Sequence, residues 1–259
     1  MELSIFQVDA FSSQVFGGNP AAICPLESWL PDATLQSIAL ENNLSETAYF
    51  VKTGDRYHLR WFTPAAEMDL CGHATLAAAY VLFHELGYQS EAISFYTKSG
   101  ELVVKRGADL LVMDFPSRPP GPINADPGVS AAMGGNPTEI LASRDYFVVY
   151  QTEEEVLALQ PDMTALSRLD KPTFIATAPG KTCDFVSRFF APKLGVPEDP
   201  VTGSAHCTLI PYWAARLGKD TLHAWQVSPR RGELFCKLAG DRVEMAGHAV
   251  LYLKGQIWV

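Results

Sequence analysis

Two stretches of this chain follow one plan, and any fold has to accommodate both. Arg60-Trp-Phe-Thr-Pro-Ala-Ala-Glu-Met-Asp-Leu-Cys-Gly-His-Ala-Thr-Leu76 and Arg188-Phe-Phe-Ala-Pro-Lys-Leu-Gly-Val-Pro-Glu-Asp-Pro-Val-Thr-Gly-Ser-Ala-His206 each run from Arg through aromatics and Pro to a short acidic link, then to a Gly that opens an apolar helix. The opening glycines Gly72 and Gly203 are 131 positions apart (203 − 72), as are Gly87 and Gly218, which close the helices (218 − 87). Downstream, Gly100-Glu-Leu-Val-Val-Lys105 matches Gly232-Glu-Leu-Phe-Cys-Lys237 at a separation of 132 (232 − 100), which Asp109 with Asp241 and Met113 with Met245 preserve. A period this long lies far outside the range of solenoid repeats and indicates a duplicated domain with pseudo-two-fold symmetry. Function is then expected between the halves.

The length of 259 residues suffices for two medium domains, each with its own core. At 47% hydrophobic and 19% charged residues the composition is that of a globular protein and excludes a disordered one. The net charge of −9, with the 20 basic residues scattered, argues against nucleic acid as a partner, since phosphate neutralisation needs a positive face. No apolar run reaches the ~18 residues that span a bilayer, and the chain starts in a strand pattern without a basic lead-in, so no membrane association and a cytoplasmic location are expected. The five cysteines are odd in number and lack CxxC spacing, which indicates neither a disulfide framework nor a zinc site.

Period-two alternation predicts a first strand over 3–10, followed by a Gly/Asn-punctuated loop at Gln14–Pro20 and a returning strand at 21–24. A helix is expected over Asp32–Asn43, leading into a strand through Leu44–Val51, with Tyr57–Phe62 as its hairpin partner. Residues 74–85 are apolar on nearly every face and read as a buried helix inside a sheet. Strands at 92–96, 101–105 and 110–115 precede Pro116-Ser-Arg-Pro-Pro-Gly-Pro122, read as the interdomain linker. The second half is expected to carry a short helix near 129–133, strands through 146–150 and 174–177, a helix over 205–216, strands at 226–227, 233–237 and 243–245, and a last strand over 250–259. The architecture predicted is α+β: two pseudo-symmetric domains, 1–116 and 117–259, each a curled, barrel-like sheet around a central apolar helix, with the last strand free to pair with either domain.

The two helix starts, Cys71-Gly-His-Ala and Thr202-Gly-Ser-Ala, present unpaired N–H groups and the positive end of a helix dipole, which suits a carboxylate. The plainer reading, that Gly72 and Gly203 only permit tight turns, would win for either alone; as a symmetric pair beside acids they favour an anion site. Glu46 emerges from an apolar neighbourhood, where partial desolvation would favour its neutral form and suit it to proton transfer, although a lone glutamate is ordinarily solvated. Asp199 is placed either to cap the following helix or to act as an acid. His73, at the helix entrance, is expected to be neutral because the dipole disfavours its protonated form. Ser204 occupies the matching position in the second half, as a cap or as a hydroxyl donor to substrate. His84 and His206, within helices, read as core residues.

Val8-Asp-Ala-Phe with Gly18-Asn-Pro20, Leu44-Ser-Glu-Thr47, Cys71-Gly-His-Ala74 and Glu198-Asp-Pro-Val-Thr-Gly-Ser204 together resemble the PhzF-like phenazine-biosynthesis isomerase family, in order and over essentially the whole chain. The resemblance implies a diaminopimelate-epimerase-like fold, a homodimer, and cofactor-free isomerisation of a small carboxylate-bearing substrate. It puts the proton-transferring glutamate at Glu46 and carries over His73, Asp199 and Ser204 as assisting catalytic groups. Gly18, Asn19, Cys71, Gly72, Thr202 and Gly203 are carried over on the substrate-binding side.

The related epimerases use two facing cysteines, one before each helix start. Here Cys71 precedes Gly72, but the second half has no cysteine before Gly203; Pro200, two residues before Thr202, has no acid or base. That disfavours a two-thiol racemase. It leaves two rivals to the isomerase: an amino-acid epimerase with Cys71 as one base, and a non-catalytic small-molecule binding protein on the same scaffold. A buried, inert thiol is the plainer account of Cys71.

Overall fold

A computed structural model describes residues 1–124 and 127–259. Met1–Asp114 together with Ala246–Val259 form one compact unit, and Phe115–Met245 form another. In the first unit the strands are β1 (Glu2–Ala10), β2 (Asn19–Leu26), β3 (Glu46–Thr53), β4 (Arg56–Phe62), β5 (Glu67–Met68), β6 (Ala92–Thr97), β7 (Gly100–Arg106) and β8 (Leu111–Pro116). The last strand of the chain, β18 (Ala249–Trp258), lies antiparallel to β1, so the C-terminal strand closes onto the N-terminal one.

The first half contains helix α1 (Asp32–Asn42), which ends at Asn43 in the left-handed conformation, φ 48°. Asn tolerates that conformation better than most residues, and the stop delivers the chain to Glu46 at the head of β3. Helix α2 (Gly72–Tyr80) packs against β1, β2, β3, β7 and β18, and every residue from His73 to Ala79 is buried. Its alanines let strands approach the axis closely, and its all-round burial is what an apolar helix without a polar face requires. A π-helical turn, Val81–Glu85, extends it to Leu86. On the outer face, Leu35, Ile38 and Ala39 of α1 join Leu3, Ile5, Cys24, Tyr49 and Phe62 in a second apolar layer.

The second unit holds β9 (Gly121–Pro122), α3 (Pro127–Met133), β10 (Glu139–Ala142), β11 (Tyr146–Val149), α4 (Glu153–Ala158), α5 (Met163–Leu166), β12 (Phe174–Pro179), β13 (Phe185–Ala191), β14 (Val196–Asp199), α6 (Gly203–Leu217), β15 (Thr221–Gln226), β16 (Gly232–Ala239) and β17 (Arg242–Gly247). Helix α6 stops at Gly218, in the left-handed region at φ 66°, where glycine has no Cβ to clash. Trp213 of α6 stacks on Phe185 with centroids 5.8 Å apart and donates its indole N–H to Thr177 Oγ1 at 2.9 Å, which satisfies its one polar group.

The expected linker is tied into this unit. Gly121–Pro122 pair with Leu141–Ala142, Ser117 N donates to Asp241 O, and Arg118 N donates to Cys207 O. The strand expected at 226–227 is instead the end of β15, where Leu222, Ala224 and Gln226 supply the buried alternate positions. Helices α4 and α5 had no counterpart in the periodicity. α4 is set by the Thr152/Glu155 capping box and α5 by the Asp162 cap, not by an apolar stripe.

Taken separately, the units show the same pairing sequence. In the first, β2–β3 is parallel, β3–β4 antiparallel, β4–β6 parallel and β6–β7 antiparallel. In the second, β11–β12, β12–β13, β13–β15 and β15–β16 repeat that order. Each copy also has one arginine clamp. Arg60 Nε donates to Glu67 Oε1 at 2.7 Å, and Arg188 donates to both oxygens of Glu198 at 2.7 and 2.8 Å. The Arg and the acidic link of the repeated sequence are therefore partners, holding the short strand that leads to each buried helix. Among the described residues no helix is long and apolar enough to cross a membrane.

Candidate functional site

In the first unit the chemistry gathers where β2, β3 and the start of α2 meet. Ala21 of β2 is in register with Glu46 of β3, so Asn19, two residues earlier, reaches the same end of the sheet. Glu46 Oε2 lies 2.9 Å from His73 Nε2, with the glutamate side chain 15% exposed and the imidazole 5%. The other ring nitrogen, Nδ1, is 3.1 Å from Asn19 Nδ2 and 3.6 Å from Cys71 Sγ. Cys71 is the N-cap residue of α2, in extended conformation, with Gly72 as the first helical residue and His73 the second.

The electrostatics depart from the sequence reading at His73. Burial opposes charge on the ring, while the Cys71 sulfur when ionised and the Glu46 carboxylate favour it, and the balance lies well above the ordinary histidine value. A carboxylate at 2.9 Å outweighs the helix-dipole effect that made a neutral ring the expectation. The Cys71 thiol is pushed up to about 11, first by burial and then by Glu46, so it is protonated at neutral pH.

Donor atoms of Glu46, Cys71 and His73 all lie within 4.8 Å of one another, the compass of a metal site. The ring, however, separates the other two: Cys71 meets Nδ1 and Glu46 meets Nε2. The arrangement suits hydrogen bonding and proton movement.

Gly18 is fixed by backbone demands. Its φ is +62°, and a Cβ there would come 2.1 Å from Ala10 O. The loop before it is pinned by Asp9, whose Oδ2 accepts from Phe16 N at 2.8 Å.

In the second unit the other candidates surround the start of α6. Thr202 is the N-cap residue, and its hydroxyl donates to Asp199 Oδ2 at 2.5 Å. Asp199 therefore holds the cap residue in place. Gln226 braces the turn: its Oε1 accepts from Thr202 N at 2.8 Å, and its Nε2 donates to Asp199 O at 2.8 Å and to Thr202 Oγ1 at 3.1 Å. Gly203 opens the helix, and Ser204 Oγ accepts from Arg144 Nη2 at 3.0 Å.

Arg144 was not found from the sequence. Its guanidinium is braced by Asp145, through Nε to Oδ1 at 3.1 Å and Nη2 to Oδ2 at 3.3 Å, and the buried Asp145 carboxylate also accepts from the Thr173 hydroxyl. It stands 60 residues before Ser204 and outside the repeated motif, so no spacing pointed to it. Gln226 was likewise hidden, as a polar residue within a strand pattern. Of the two histidines expected in the core, His84 is exposed, whereas His206 is buried: its ring meets Thr202 O at 2.9 Å through Nδ1, and burial lowers its pKa to about 4.

The family model described as phenazine biosynthesis-like protein matches residues 8–255. A protein of Pseudomonas aeruginosa named as an uncharacterized isomerase is 52% identical over 257 residues, covering 99% of each chain. A PhzF-family crystal structure from Enterococcus faecalis superposes with a TM-score of 0.98 at 49% identity, covering 100% of both chains. A hydroxyproline epimerase from Agrobacterium vitis, 10% identical and covering 99% of this chain and 92% of its own, has a TM-score of 0.64 and shares the fold alone. The chain belongs to the phenazine biosynthesis-like (PhzF-like) family, a family of isomerases, and has the epimerase-like α+β fold.

Proposed function

We propose that this isomerase works without a cofactor, moving a proton between carbons of a small carboxylate-bearing molecule, with Glu46 as the group that takes the proton and returns it. The supporting observation is the Glu46 carboxylate, largely buried yet not closed off, oriented by His73 Nε2 at 2.9 Å. The C–H bond pair stays on the substrate as an enolate-type carbanion, the proton rests on Glu46, where it exchanges with solvent, and Glu46 then delivers one proton to another carbon, so nothing is consumed. Such general acid–base work contributes about 10²- to 10⁴-fold.

In the second unit, Arg144, the Ser204 hydroxyl and the first N–H groups of α6 suit a carboxylate. Asp199 and Thr202, braced by Gln226, keep that turn in shape. The cytoplasmic location and the homodimer are part of the same reading, and light scattering tests the latter.

The test is incubation in D₂O with a panel of amino acids and unsaturated ring carboxylates, read by mass spectrometry. Deuterium enters a turned-over compound with the wild type and not with Glu46→Gln. A Glu46→Gln variant that exchanges at the wild-type rate removes Glu46 from the mechanism, and a wild type that exchanges nothing in the panel favours a binding protein.

The contact of Cys71 with His73 favours a second reading, epimerisation with Cys71 as one base. Its thiol at about 11 opposes that role. Loss of exchange in Cys71→Ala would establish it.

A further inference from the structure

Asn19 is the first residue of β2, opposite Ala10 of β1, and is 0% exposed. The tight turn at Gly18, where a Cβ would meet Ala10 O, brings it there. A side chain so enclosed contacts the interior of its unit, and one of its contacts is with the ring of His73, 54 residues further along the chain.

The acceptor-only carboxylate beside Nε2 points to the position of the ring's proton. An imidazole nitrogen without hydrogen has one in-plane lone pair, and Nδ1 is approached by two donors, the Asn19 amide at 3.1 Å and the Cys71 thiol at 3.6 Å. Nε2 is approached by a carboxylate oxygen at 2.9 Å, which can only accept. A neutral ring in this setting carries its proton on Nε2, 2.9 Å from the Glu46 carboxylate. When the ring takes a second proton, Nδ1 becomes a donor, and an amide serves this state too by turning over to offer Oδ1, because its nitrogen and oxygen ends have nearly the same shape. Among the described residues, the titratable groups against the ring are Glu46 from β3 and Cys71 at the start of α2.

We propose that Asn19 is a positioning residue, whose amide holds the Nδ1 edge of His73 in both charge states of the ring and so keeps Nε2–H aimed at the Glu46 carboxylate. This moves Asn19 from the substrate-binding group to the support of the acid–base pair. It rests on the reading of Glu46 as the proton-transferring group.

The test reads His73 directly, in the resting protein without substrate, so it stands apart from any failure to find turnover. Protein labelled with ¹⁵N-histidine is titrated by two-bond ¹H–¹⁵N NMR, with the His73 signals assigned by their loss in His73→Gln. In the wild type, the neutral ring is expected to carry its proton on Nε2. In Asn19→Leu the single tautomer gives way to a mixture, whereas Asn19→Asp, which offers only acceptor oxygens at Nδ1, keeps the ring protonated to higher pH than in the wild type. On any substrate found by the D₂O panel, Asn19→Leu lowers kcat at least 10-fold with KM within about twofold, and Asn19→Gln restores part of it. A wild-type neutral ring protonated on Nδ1 overturns the proposal, as does a folded Asn19→Leu with an unchanged tautomer and titration. Should Asn19→Leu not fold, the wild-type tautomer decides.

Discussion

The two buried helices begin alike and are equipped differently. At the start of α2 a carboxylate, an imidazole and a thiol meet within 4.8 Å, whereas at the start of α6 a guanidinium paired with the Asp145 carboxylate meets the Ser204 hydroxyl, and the Asp199 carboxylate accepts from the Thr202 hydroxyl. Histidine behaviour shows the contrast most plainly. His73 has an anion on one side and its proton affinity is raised, while His206 meets a backbone carbonyl and is pushed down to about 4 by burial. Duplication thus preserved the backbone device, a glycine-opened helix behind an Arg–Glu clamp. Substitution equipped the two starts differently, with Glu46, Cys71 and His73 at the first and Arg144 beside Ser204 at the second.

The largest expected effect tests the first half of that division: Glu46→Gln lowers turnover by about 10²- to 10⁴-fold with the fold retained, measured as kcat with circular dichroism as control. Next comes the second half. If a substrate carboxylate is held there, as the resemblance implies, Arg144→Ala raises KM by about 10-fold with kcat changed less, and an equal loss in kcat at unchanged KM would contradict an anion-holding role.

The clamps give a stability test. Hydrogen bonding from Arg60 is the largest of the effects that hold Glu67 down at about 2 against burial, so its contribution is full above the ordinary glutamate value and is lost as pH falls through about 2. Glu67→Gln is expected to cost about 1.5–3 kcal/mol in urea unfolding at pH 7, and no change would show that the clamp is dispensable.

The two histidines give opposite pH slopes. His206 is neutral when folded and charges when unfolded, so it contributes a loss of stability as pH drops from about 6.5 to about 4, by up to about 1.4 kcal/mol per pH unit. His73, raised, contributes stability that is full below about 6.5 and is lost as pH rises through its folded value. His206→Gln should flatten the acid side of the stability profile and leave the alkaline side unchanged; the reverse pattern would break the comparison. The smallest effect is assigned to Cys71→Ala, which should leave turnover within a few-fold if the thiol is not a base.

Much of this was legible because the duplicated signals are strong ones: glycine at helix starts and stops, and helices apolar all round, which only burial can explain. The positions of Glu46 and His73 followed from local sequence, since a helix stop precedes one and a helix start the other. The charge of His73 was not legible. It depends on a carboxylate 27 positions away (73 − 46), brought within 2.9 Å by strand pairing that no local pattern reports. Arg144, Gln226 and the enclosure of Asn19 were hidden for the same reason, and α4 and α5 are set by caps on segments too short to show a period.

The central claim, that Glu46 beside His73 moves a proton, is tested most directly by deuterium uptake from D₂O with wild type and Glu46→Gln in parallel on the compounds the wild type turns over. The account predicts label in the product of the wild type and none above background with the variant. Equal labelling by both would contradict it.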